Sequence, residues 1–114
     1  MDDVIPLERR LMEERAATVV QLDALTRAFD DIVAASELVS TDDEHDPEGA
    51  TIAFERAQVA ALRDAAAQHL LDLDEAMARQ RAGLPATCEV CGEAIGDERL
   101  AALPATRRCV DCAV

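Results

Sequence analysis

The chain has 114 residues, half of them hydrophobic but only two aromatic, Phe29 and Phe54, and a formal net charge of −13. That length is one domain's worth with room for a small appendage, and an Ala-rich, aromatic-poor composition suits packed helices better than a β-sandwich. All eleven basic residues are Arg, and acids outnumber them in every stretch: nine to four over 1–40, five to none over 41–50, five to four over 51–87 and five to three over 88–114. No basic stripe neutralises phosphates and no aromatic platform stacks bases, which argues against direct DNA or RNA binding, and an anionic membrane surface is disfavoured by the same charge.

The first residues, "MDDVIPLERR", carry neither a positive n-region nor an apolar h-region, and no apolar run approaches the roughly 18 residues of a membrane span. The chain reads as cytoplasmic. Pro6 then fits a helix start, and residues 7–38 carry a helical pattern: Leu7, Leu11, Leu22, Leu25, Phe29, Ile32 and Leu38. From Leu22 to Ile32 the steps are 3, 4 and 3, which is heptad spacing. Arg15 and Thr18 weaken the stripe in its first turns, where Ala16, Val19 and Val20 are available to fill beside them.

Residues 41–50, "TDDEHDPEGA", put five carboxylates into ten residues. Locally they read as a helix start, with Asp46 as N-cap, Pro47 at the first helical position and Glu48 favouring the macrodipole. A calcium loop is a second reading: Glu44, Asp46, Glu48, Gly49 and Glu55 fall at positions 1, 3, 5, 6 and 12 of an EF-hand frame. Its faults are Glu at position 1, Pro47 inside the loop and Thr51 where Ile is usual. A third reading makes the segment the acidic tip of a probe, acting electrostatically inside a partner where screening is poor.

Residues 52–81 repeat the stripe with Ile52, Val59, Leu62, Ala66, Leu70, Leu73 and Met77. Segments of this length form helices of about 45 Å. With a short link between them, each stripe partners the other, predicting an antiparallel coiled-coil hairpin over 1–82 with 41–50 at its tip. Such a hairpin is a monomer, although heptad stripes can also pair between chains. His69 lies beside the seam with no cysteine near it in sequence and is given no chemistry.

"GLPAT", residues 83–87, is expected to break the helix and serve as a hinge: Gly83 fits the C′ position and Pro85 prevents continuation. The module over 88–114 carries Cys88, Cys91, Cys109 and Cys112 as C-x2-C-x17-C-x2-C. The two-residue gap lets a tight turn aim two thiolates at one ion, and Gly92 permits the positive φ such a turn requires. Four thiolates close a tetrahedral Zn²⁺ site, so one structural zinc is expected, with no open position for catalysis. Two disulfides would need an oxidising compartment, and a redox pair a βαβ setting; an iron–sulfur centre shares the same ligands. So short a segment has almost no core, and metal binding of about 10–16 kcal/mol is what folds it. The fold class is therefore all-α: a long helical hairpin followed by a small four-cysteine finger. No nucleophile–base pair is evident, so no enzymatic activity is expected.

This organisation resembles the DksA/TraR family of bacterial RNA polymerase regulators. The likeness is strongest in "CEVCGEAIGDERLAALPATRRCVDCA", residues 88–113, with C-x-x-C-G-x-x-I, Arg99-Leu100, Pro104 and the final C-V-x-C, and "DPEGA" at the tip is similar to the family's D-x-x-D-x-A element. The resemblance implies a regulator whose hairpin enters the polymerase secondary channel, its tip reaching toward the active site without reading promoter DNA. In register with Cys88, Glu48 and Ala50 take the second acidic position and the alanine, and the first acidic position falls on His45, or on Asp46 with a one-residue longer link. A second register pairs Asp43 with Asp46. The implied effector tip is Asp43, Asp46, Glu48 and Ala50. The family's basic positions for the alarmone ppGpp fall here on Asp72, Leu103 and Ala113, none of them basic, and the sequence ends two residues after Cys112, short of the family's C-terminal helix. Weak or absent ppGpp synergy is expected. The alternatives are Gre-like stimulation of transcript cleavage by polymerase and a calcium- or partner-sensing adaptor that never meets polymerase.

Overall fold

A computed structural model describes residues 6–38 and 47–113. It is helical, with no strand among the described residues: α1 spans Leu7–Ser36, α2 spans Pro47–Arg81, and a C-terminal four-cysteine region holds the short α3, Asp97–Ala102, and a 3-10 turn at Val110–Cys112. The helix ends follow local chemistry. The Pro6 carbonyl accepts the first i→i−4 bond, from the Arg10 N–H at 3.1 Å, so the residue that cannot donate sits where no donor is needed. Pro47 is itself the first residue of α2, where a missing N–H is equally harmless.

At the far end of α2, Gly83 adopts φ 74°. The Leu84 N–H then reaches the Arg79 carbonyl at 2.9 Å and the Gly83 N–H the Gln80 carbonyl at 3.1 Å. This is the paired closure of a Schellman motif, which satisfies carbonyls left over by the helix and turns the chain away.

The chain divides into two compact units whose boundaries fall inside both long helices: residues 1–18 with 69–114, and residues 19–68. In the first unit the two helix ends pair antiparallel, joined by Glu8–Arg81 at 3.8 Å, Glu14–His69 at 3.1 Å and Arg15–Asp74 at 2.6 Å. Leu11, Leu73, Ala76, Met77 and Ala105 form its buried cluster, with Leu7 packed against it. Ala105 comes from the four-cysteine region, so that region contributes a side chain to the core of the helix ends.

The second unit pairs α1 with α2 through a half-buried seam. Leu22, Leu25, Phe29 and Ile32 on α1 and Ile52 and Val59 on α2 are half-buried, and Ala66 is the one buried residue among the described residues of the unit. Arg63 lies over the Phe29 ring, 4.3 Å from its centroid.

Two seam assignments differ from the expected stripe. Thr18 is fully buried, its hydroxyl donating to the Glu14 carbonyl at 2.8 Å, whereas Val20 is 71% exposed. A threonine that bonds its own preceding turn carries no unpaired group inward and can occupy a seam position that its polarity alone disfavours. Leu62, expected in the seam, is exposed, and half-buried Arg63 takes the position beside Phe29 with its charge over the ring.

Candidate metal centre

The first pair of cysteines is carried on a short turn. Thr87 and Ala94 bridge antiparallel, the Ile95 N–H donates to the Ala86 carbonyl at 2.9 Å and the Cys88 N–H to the Glu93 carbonyl at 2.8 Å. Inside this frame the Gly92 N–H closes onto the Cys88 carbonyl at 2.9 Å, with Gly92 at φ 77°. A Cβ at that position would meet no neighbour, so backbone conformation alone calls for glycine there. The Val90 N–H points at the Cys88 sulfur, 3.4 Å away.

The second pair sits on the 3-10 turn, where the Cys112 N–H bonds the Cys109 carbonyl at 3.1 Å. One main-chain bond ties the two turns together, from the Glu89 N–H to the Arg107 carbonyl at 2.8 Å, and the Arg108 guanidinium adds an ion pair to Glu89 at 3.1 Å.

The result gathers all four sulfurs, from positions up to 24 residues apart, to within 4.8 Å of one another. Cys91 Sγ and Cys109 Sγ stand 3.8 Å apart, and none of the four is in a disulfide. Zinc–sulfur bonds of about 2.3 Å set a tetrahedral edge of about 3.8 Å. The donor set and spacing therefore fit one Zn²⁺, and thiolates this close enclose a single ion rather than a cluster with sulfides of its own. With four protein ligands the ion is structural.

Protonation is uneven across the set. Backbone N–H groups of Cys91 and then Cys109 stabilise the Cys88 thiolate and bring its pKa from 9.0 down to about 6, while the neighbouring Cys109 side chain and burial push Cys112 up to about 12. One thiol is thus ready to bind near neutral pH, and zinc displaces the protons that remain.

The other residues singled out in the sequence lie elsewhere. Asp43 and Asp46 fall outside the described residues. Glu48 and Ala50 belong to the first turn of α2, with Ala50 exposed. His69 is half exposed against Glu14 and is not part of the sulfur cluster. Asp72, Leu103 and Ala113 line one cleft of about 440 Å³, together with Arg10, Arg99, Arg107 and Arg108 and the carboxylates of Glu14 and Glu89.

Arg107 joins the finger to α2 with no signal in the sequence that marks it for that role. Its guanidinium meets Asp72 at 2.8 Å and also contacts Glu75, holding the finger to α2. Its position two residues before Cys109 is visible in the sequence, but its partners, more than thirty residues upstream, are not.

Residues 81–114 match the family model described as the prokaryotic dksA/traR C4-type zinc finger. No curated protein and no solved structure gives a significant match to the chain.

Proposed function

We propose, from the premise that residues 81–114 are a zinc finger of the dksA/traR type, that this protein regulates transcription by binding RNA polymerase rather than DNA. The observation that carries the reading is that finger standing on two helices of 30 and 35 residues. Helices of that size run about 45–53 Å, enough to carry a tip down a narrow channel. The acidic charge, −13 over the chain, supports a protein partner and disfavours a nucleic-acid one. In this reading residues 1–82 form the hairpin, 83–87 the hinge and 88–114 the finger. The hairpin enters the secondary channel of polymerase in the cytoplasm, as a monomer and without catalysis of its own. Asp46 and Glu48, with Asp43 and Ala50 beside them, act on the active-site region by their charge.

The test is retention of core RNA polymerase by the zinc-loaded full chain, competed with a Gre factor. Competition supports a shared channel, and failure to retain polymerase removes the reading in favour of an adaptor with another partner. Stimulated transcript cleavage in the same assay would favour the Gre-like activity. The double change Asp46→Asn, Glu48→Gln is expected to leave polymerase retention intact and abolish the effect on initiation. An unchanged transcription effect would mean the tip is not the effector.

Synergy with ppGpp is expected to be weak, because Asp72, Leu103 and Ala113 stand where the resemblance places basic contacts. Asp72 is moreover held by Arg107, and the four arginines of the cleft face three carboxylates. Promoter inhibition measured with and without ppGpp checks this; strong protein-dependent potentiation would contradict it.

A further inference from the structure

The finger has little interior of its own: among its described residues Cys88, Ile95 and Ala105 are the buried apolar ones, and Ala105 belongs to the cluster of Leu11, Leu73, Ala76 and Met77 on the helix ends. Two residues beyond Ala105, Arg107 is held at both of its ends. Its carbonyl accepts the Glu89 N–H between the first two cysteines, and its side chain reaches Asp72 and Glu75, three apart on one face of α2. Cys109 follows two residues later.

The main chain at Arg107 is therefore placed by the metal centre, while its guanidinium is placed by α2. We propose that Arg107 is a clasp that makes zinc binding and the docking of the finger on the helix ends one coupled event. Zinc joins the two cysteine turns and so fixes the 104–108 segment, which seats Ala105 in the core and Arg107 between its acids. By reciprocity, whatever holds Arg107 on α2 favours the arrangement of the two turns that zinc requires, so carboxylates remote from the metal raise zinc affinity. Arg107 is a positioning residue, since it touches neither sulfur nor metal.

The measurement is zinc affinity of the full chain by competition with a chromophoric chelator, read beside amide exchange over 7–18 and 69–81. Arg107→Ala is expected to weaken zinc binding about fivefold or more, within the usual range of coupling between sites. Because that variant also alters a loop next to Cys109, the decisive one is Asp72→Asn with Glu75→Gln, which leaves the finger untouched. It is expected to weaken zinc binding to a similar extent, with no further loss when combined with Arg107→Ala. Asp74→Asn removes a helix–helix ion pair that does not involve the finger and is expected to leave zinc affinity unchanged. Removing zinc from the unmodified chain is expected to speed exchange over 7–18 and 69–81. Unchanged zinc affinity in the Asp72/Glu75 variant, an equal loss in Asp74→Asn, or helix-end exchange indifferent to zinc would each overturn the proposal.

Discussion

The two units are built from the same pair of helices and reach different degrees of burial. Where the finger is present, over 1–18 and 69–114, Leu11 and Leu73 have no exposed surface and Thr18, Ala76 and Met77 are buried with them. Over 19–68 the apolar seam runs on with regular spacing, yet Leu22, Leu25, Phe29, Ile32, Ile52 and Val59 are only half-buried, and Val20 and Phe54 stand 71% exposed. Two helices alone can cover only one face of each other, and a third layer is needed to enclose a core. In the first unit the finger supplies that layer through Ala105. The second unit relies on helix-favouring Ala, on local pairs such as Asp23–Arg27 at 3.0 Å and on the Arg63–Phe29 contact. One region holds a core, and the other keeps the form of its helices while leaving apolar surface open.

Metal removal tests this contrast most severely. Chelating zinc, or Cys88→Ser, takes away a binding energy of about 10–16 kcal/mol, the main support of a finger with so few buried residues. Amide protection is expected to vanish over 84–113, with the loss confined to the first unit. Acid should act the same way. A Cys88 pKa lowered from 9.0 to about 6 means its charged form contributes fully above the unfolded value and is lost as pH falls through about 6. Zinc, which holds the thiolates charged still more firmly, is expected to be retained at neutral pH and released only in more acid solution than that at which metal-free Cys88 takes up its proton, as a metal indicator would report.

Equal truncations in the two units come next. Leu73→Ala, at a site with no exposed surface, is expected to cost about 2–5 kcal/mol in denaturant unfolding. Leu22→Ala, in the half-buried seam, is expected to cost about 1–1.5 kcal/mol. Similar costs at the two sites would erase the distinction between the units.

The smallest expected effect is at the seam arginine. Arg63→Ala removes a cation from the face of the half-buried Phe29 ring and is expected to cost about 0.5–1 kcal/mol, with Arg63→Met recovering the part due to the stem alone. A larger loss would mean that the second unit depends on this contact more than on helix propensity.

Much of this was legible in the sequence because it rests on short-range chemistry. The C-x2-C pairs with Gly92 specify two metal turns, Pro6 and Pro47 open helices where a missing N–H is harmless, and Gly83 closes one by taking a positive φ. Each needs only its neighbours in the chain. The phase of the seam was less legible. Apolar residues lie around much of the circumference of these Ala-rich helices, so more than one stripe satisfies the period; Thr18 rather than Val20 is buried, and Arg63 rather than Leu62 sits by Phe29. The pairing of Asp72 and Glu75 with Arg107 likewise depends on the finger meeting α2, which no local signal specifies. Helix periodicity and cysteine spacing are local properties and specify helices and a four-thiolate metal site, whereas which side chains became core and which charges became partners was settled in three dimensions, because those outcomes depend on groups that meet across dozens of residues.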